Sequence, residues 1–133
     1  MTTKKIIRVC DVMKKGFDVI DGMTTVSEAL KKMKHTDTKT LIVDKRDDSD
    51  EYGIVLISDI AKQVLAKDRA PDRVNVYEVM AKPVISIDPN MDIRYCARLF
   101  ENFGLSRAPV IEAGKMVGII SFTDMVLRGM VTE

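Results

Sequence analysis

The stretch Gly118-Ile119-Ile120-Ser121-Phe122-Thr123-Asp124-Met125 has a near copy half a chain earlier, Gly53-Ile54-Val55-Leu56-Ile57-Ser58-Asp59-Ile60. The chain is a tandem repeat. Each copy runs from a glycine through a short apolar strand to a hydroxyl residue and an aspartate that open a helix. Those side chains stand beside helix N–H groups that have no partner within the helix, which makes each copy a place to hold a polar small molecule.

The repeat extends in both directions. Met13 and Met80, Asp21 and Asp88, Val26 and Ile93, and Met33 and Phe100 are each 67 residues apart. After the helix the spacing reads as 68, pairing residues 41–44 with residues 109–112, and past a loop three residues longer in the first copy it reads as 65. The slips fall in loops, where insertions are tolerated. The division this gives is residues 1–70 for the first copy and residues 71–133 for the second.

Local signals place elements in the order β-α-β-β-α in each copy, an α/β (α+β) class. Helical turns are predicted at residues 9–13 and 76–80, and strands at residues 17–20 and 84–87. Thr25-Val26-Ser27-Glu28 is a capping box. It precedes Val26, Ala29, Leu30 and Met33, which share one helix face as core. The second copy's helix, residues 92–100, turns Ile93, Cys96, Ala97 and Phe100 inward. Strands follow at residues 41–43 and 52–57, and at 108–111 and 116–121. Pro109 is expected only at a strand's start, because it cannot donate to a ladder. The closing helices are residues 59–65, with Ile60, Val64 and Leu65 inward, and residues 124–130.

At 133 residues and 46% hydrophobic content the chain can bury a sizeable core. Lys plus Arg number 21 against 20 Asp plus Glu, so a net charge of +1 gives no field for nucleic acid or an anionic membrane. Cys10 and Cys96 form no CxxC and read as small apolar residues of a reduced, cytoplasmic protein. Residues 1–8 hold too little apolar sequence for a signal peptide or a span. His35, the single histidine, reads as a solvated residue after a helix, and the acidic loop at residues 45–51 lacks calcium-loop spacing. No nucleophile stands beside a base, so no catalytic residue and no metal site is assigned.

Val12-Met13 and Val79-Met80, the Pro109-Val110-Ile111-Glu112 strand, and the run from Gly118 to Asp124 resemble a tandem pair of CBS domains, the Bateman module. The resemblance covers roughly residues 9–131. It implies two copies about a pseudo-twofold axis and a regulatory module whose clefts bind AMP, ADP, ATP or S-adenosylmethionine, with an aspartate accepting from both ribose hydroxyls. Carried over by position, one cleft joins Ser121, Thr123 and Asp124 to Phe17, Asp18, Thr38 and Lys39. The other joins Ser58 and Asp59 to Val84, Ile85, Ser106 and Arg107.

Both clefts depart from the family pattern. Leu56 stands where the second copy has Ser121, and Asp18 where relatives place a small apolar residue against the base. Arg107 offers a guanidinium for a phosphate. Asp18 can accept from an adenine amino group or repel a polyphosphate. The Asp124 cleft ranks first because its turn keeps both hydroxyls. Ser58-Asp59 and Thr123-Asp124 are also accounted for as ordinary helix caps. The leading function is ligand sensing that biases what an effector protein sees; the alternative is a ligand-free dimeric adaptor. The resemblance implies a homodimer, with Val26, Leu30, Ile93 and Ala97 as candidates for the covered helix surface.

Overall fold

Each repeated stretch opens on a glycine because a lead-in segment comes close. A Cβ on Gly118 would lie 2.6 Å from the Met13 sulfur and 2.8 Å from the Lys14 carbonyl oxygen; on Gly53 it would lie 2.7 Å from the Met80 sulfur. These contacts come from a computed structural model, which describes residues 5–82 and 84–131. Met1 to Lys4, part of the leader expectation, lie outside the described residues.

The lead-in segments therefore pair with strands. Lys14 and Ile119 exchange two backbone hydrogen bonds of 2.9 Å, and Ala81 and Ile54 exchange bonds of 2.9 and 3.1 Å. The segment ahead of the first copy thus serves the second copy's strand, and the segment ahead of the second copy serves the first. The compact units follow this exchange. One is contiguous, Gly16–Val84; the other is discontinuous, Met1–Lys15 with Ile85–Glu133.

In chain order the elements are α1 (Val9–Val12), β1 (Val19–Ile20), α2 (Val26–Lys32), β2 (Thr40–Val43), β3 (Gly53–Leu56), α3 (Ile57–Ile60), α4 (Ile93–Phe103), β4 (Arg107–Glu112), β5 (Lys115–Ser121) and α5 (Phe122–Gly129). Short 3-10 turns lie at Thr36–Thr38 and Val76–Glu78. The contiguous unit holds the sheet β1-β2-β3, parallel then antiparallel, and the discontinuous unit the antiparallel pair β4-β5.

Helices α2 and α4 start where local chemistry says they should. Thr25 accepts from the Glu28 N–H at 3.2 Å. Asp92, its equivalent, accepts from the Arg94 N–H at 2.9 Å. Their apolar faces meet the sheets: Val26 and Ala29 join Leu41, Val55 and Val76, while Cys96 and Phe100 join Val9, Val110 and Ile120. Burying Phe100 alone contributes roughly 1.5–3 kcal/mol.

Several expectations are corrected. The paired residues Thr40↔Leu56 and Arg107↔Ser121 show that the 67-residue spacing persists through β2 and β4, so Ile42 is the counterpart of Pro109, and the first copy's loop is longer by two residues. Pro109 lies inside β4, not at its start, paired with Ile119. Ile119 directs its backbone groups to Lys14, so nothing in β5 asks Pro109 for an N–H.

On its other side Pro109 has a visible cost. Ile42 donates to the Asp18 carbonyl at 2.9 Å, a bond its proline counterpart cannot make to Ile85. The expected strand at residues 84–87 accordingly shrinks to one bridge, Ile87↔Val110, and the strand expected at residues 17–20 is the shorter Val19–Ile20.

Leu65 is 78% exposed rather than inward, because α3 passes into a π-helical turn, Ala61–Leu65, closed by Ala66 N–H to the Ala61 carbonyl. The wider turn carries Leu65 past the core-facing direction. Leu30 is also exposed. Val26 is fully buried in its own unit and is not available for the surface assigned to it, whereas Ile93, 8% exposed, lines a groove between α4 and α5. His35 is half-buried, its imidazole against Gly16. In the acidic loop Asp50 is gathered in by Lys82 at 2.7 Å and Arg46 at 3.1 Å, which hold its carboxyl well below the usual range.

Candidate functional site

β5 ends at Ser121 and the chain turns directly into α5. The Ser121 hydroxyl oxygen accepts from the Asp124 N–H at 3.1 Å, which caps the helix, and the same hydroxyl donates to Asp124 Oδ2 at 3.0 Å. Asp124 Oδ1 accepts from Lys14 Nζ at 2.5 Å. Asp124 is 3% exposed. A carboxylate so buried needs partners, and here it has a cation, a hydroxyl and the first turn of a helix. A carboxylate has about four lone-pair sites, so these two bonds leave acceptor capacity for a diol. Thr123, one residue earlier, is exposed.

Lys14 was not among the residues read from sequence. Its signal was the repeat itself: Met13 matches Met80, so Lys14 matches Ala81, and a cation present in one copy alone marks a difference between the sites. The approach of the lead-in backbone to Gly118 is what delivers it. Arg128 on α5 fastens the same segment, donating to the Met13 carbonyl at 3.3 Å.

The discontinuous unit also brings Ser106 and Arg107 to this turn, although they were assigned to the other cleft. The Phe122 N–H donates to the Ser106 carbonyl at 3.1 Å, and Arg107 pairs with Ser121 across the strands. Ile85 of that unit is 39% exposed.

The contiguous unit repeats the arrangement with different groups. The Ile57 N–H donates to the Lys39 carbonyl at 3.0 Å, which sets Thr38 and Lys39 beside the turn of Ser58 and Asp59. Lys39 holds a left-handed backbone, φ 56°, and is exposed; Thr38 is buried, its hydroxyl donating to the His35 carbonyl at 2.9 Å. Leu56 has no hydroxyl with which to cap. Asp59 instead accepts from the Leu56 N–H at 3.3 Å, is half-buried, and has Ala81 where the other copy has Lys14. Ser58 is exposed, and Phe17 and Val84 are half-buried.

Asp18 is the clearest revision at the site. Its two carboxylate oxygens accept from the Lys34 and His35 N–H groups at 3.0 and 2.9 Å, so it anchors the chain leaving α2. Sequence reasoning saw a charge near a base; the structure gives that charge a local role, holding two backbone donors. No group of three or more metal-ligating side chains occurs among the described residues.

Two such turns, each built on a glycine-led strand and each fed by the lead-in of the other copy, are matched by the CBS domain family over residues 9–66 and 76–132. The chain belongs to the CBS-domain family. A CBS pair is a regulatory ligand-binding module. The hexameric CBS-CP12 protein from bloom-forming cyanobacteria is 37% identical, with a TM-score of 0.88 over 94% of this chain and 69% of that one. A CBS domain pair solved in complex with methylthioadenosine and S-adenosyl-L-methionine is 24% identical, with a TM-score of 0.75 over 91% of this chain and 94% of that one.

An uncharacterized protein of Methanopyrus kandleri is 30% identical over 81% of this chain and 56% of its own length. The chain spans 56% and 64% of the length of the first two curated relatives it matches. Among the described residues no helix is long and apolar enough to cross a membrane.

Proposed function

We propose that this CBS pair senses an adenosine-containing ligand and is regulatory rather than catalytic. Its strongest binding group is Asp124. The observation that carries the reading is a buried carboxylate at the start of α5 with acceptor capacity left over. A vicinal ribose diol supplies two donors, and charge-assisted bonds of that kind contribute roughly 1.5–3 kcal/mol each. Ser121 and Thr123 lie on the same turn, with Ser106 and Arg107 brought beside it in the same unit. Ser58 and Asp59, with Thr38 and Lys39 beside them, make the second, weaker set. The adenosine ligands of the CBS pair described above support this chemistry.

A thermal-shift panel of AMP, ADP, ATP, NAD and S-adenosylmethionine tests the proposal. A ligand at about a hundred times its dissociation constant adds roughly 2.7 kcal/mol to the folded state, a rise on the order of 5 °C in this size of chain. No shift at millimolar concentration would move the reading to the alternative, a ligand-free adaptor. That alternative has its own support: both oxygens of Asp18 are already engaged by backbone donors of its own unit, and Leu56 stands where the other copy has a hydroxyl.

We also propose a cytoplasmic homodimer that presents this state to an effector protein. In the discontinuous unit a groove of about 550 Å³ between α4 and α5 is floored by Ile93, Ala97, Phe122 and Met125, and Val126, Leu127 and Met130 stand exposed beside or along it. Contiguous apolar surface of this kind marks an interaction site. Sedimentation showing only a 14.9 kDa species at micromolar concentration would refute the dimer.

A further inference from the structure

Lys14 does more at this site than neutralise a buried charge. Its side chain is 24% exposed while that of Asp124 is 5% exposed, so the ammonium is the outer member of the pair. A ligand approaching the carboxylate from solvent meets the cation first. Lys14 has three donors and one is taken by Asp124 Oδ1, which leaves two for an anionic oxygen. The equivalent position in the other copy is Ala81, so this filter belongs to one site and not to the repeat.

We infer that Lys14 makes the Asp124 site selective for phosphorylated adenosine over adenosine ligands that carry a positive charge. It can do so only if an adenosine ligand binds at Asp124 as proposed above. With the ribose on the carboxylate, the ammonium bridges Asp124 and a phosphate oxygen, gaining a second anion without giving up the first. A sulfonium cation at the same place faces like charge at short range.

The test is calorimetric titration of the full chain with AMP, adenosine and S-adenosylmethionine, in wild type, Lys14→Met and Lys14→Arg. Wild type should bind AMP about ten- to hundredfold tighter than S-adenosylmethionine. Lys14→Met should bring the ratio to within about threefold, with adenosine changed least, and Lys14→Arg should keep the preference. In wild type, added sodium chloride should weaken AMP and leave adenosine nearly unchanged, a readout that stands even if Lys14→Met does not fold.

Binding of AMP with a preference that Lys14→Met leaves intact overturns the role of Lys14 and leaves the adenosine reading standing. So does an AMP affinity no more salt-sensitive than that of adenosine. Failure of all three ligands to bind wild type overturns both.

Discussion

Asp124 and Asp59 open equivalent helices after equivalent strands, yet one is buried with a lysine and a serine on its oxygens and the other is half-buried with a single backbone N–H. Three substitutions account for the contrast: Ser121 against Leu56, Lys14 against Ala81, and Pro109 against Ile42. The first two decide what the carboxylate touches, and the third decides how much strand stands beside it. A duplicated backbone can therefore carry two different electrostatic sites. The exchange of lead-in segments lets them diverge, because the residue that tunes Asp124 lies 110 positions away from it.

The largest test of that contrast is in ligand binding. Asp124→Ala should cost about a hundredfold in affinity for an adenosine ligand, through loss of two ribose bonds, and Asp59→Ala should cost less, as read by calorimetry. Should Asp59→Ala alone abolish binding, the ranking of the two sites reverses.

Stability without ligand should follow the same order. Asp124→Ala removes a helix cap partner and strands a partly buried ammonium, a loss of roughly 2–3 kcal/mol, against roughly 0.5–1 kcal/mol for Asp59→Ala. Urea denaturation of both variants measures the difference; equal losses would mean that Lys14 relaxes freely into solvent.

A gain should follow from making the copies more alike. Leu56→Ser supplies the missing cap hydroxyl, worth about 0.5–1 kcal/mol, less whatever Leu56 contributes by its partial burial. An increase in melting temperature in Leu56→Ser that disappears in Leu56→Ala would assign the effect to the hydroxyl.

The smallest effect concerns the other pair of caps. Arg94 holds the Asp92 carboxyl down to about 2 from an ordinary 3.8, whereas its counterpart Thr25 does not titrate. A depressed carboxyl stabilises the fold above its unfolded value, and that stability is lost as pH falls through the folded value. Stability should therefore decline between pH 4 and about 2, and Asp92→Asn should flatten that part of the profile in chemical denaturation at stepped pH.

Much of the architecture was legible because it is local. The cap at Thr25 and the inward faces of Cys96 and Phe100 depend on residues three or four apart, and the repeat shows in side-by-side copies of one pattern. The one-residue error in matching β2 to β4 came from aligning Pro109 by its neighbours, when its missing N–H matters only on the side facing Ile87. The outward turn of Leu65 depends on a π-turn that leaves no mark in an apolar period. At the site, Ser121 and Asp124 announced themselves by spacing, but Lys14 reaches them only through the lead-in pairing, and Asp18 was spent on donors that sequence spacing does not reveal.

The exchanged lead-ins also impose a timetable on synthesis. The contiguous unit, Gly16–Val84, has all its strands once Val84 has left the ribosome. The discontinuous unit cannot close until β5 is made, so the segment that carries Val9, Val12 and Lys14 waits through about a hundred further residues for its partner strand. Closing so long a loop adds only a few kcal/mol of entropy over a short one, but the wait leaves an apolar segment unsheltered on the nascent chain. The segment from Val9 to Lys14 is thus among the last to be folded, and the carboxylate at Asp124 acquires its lysine only then.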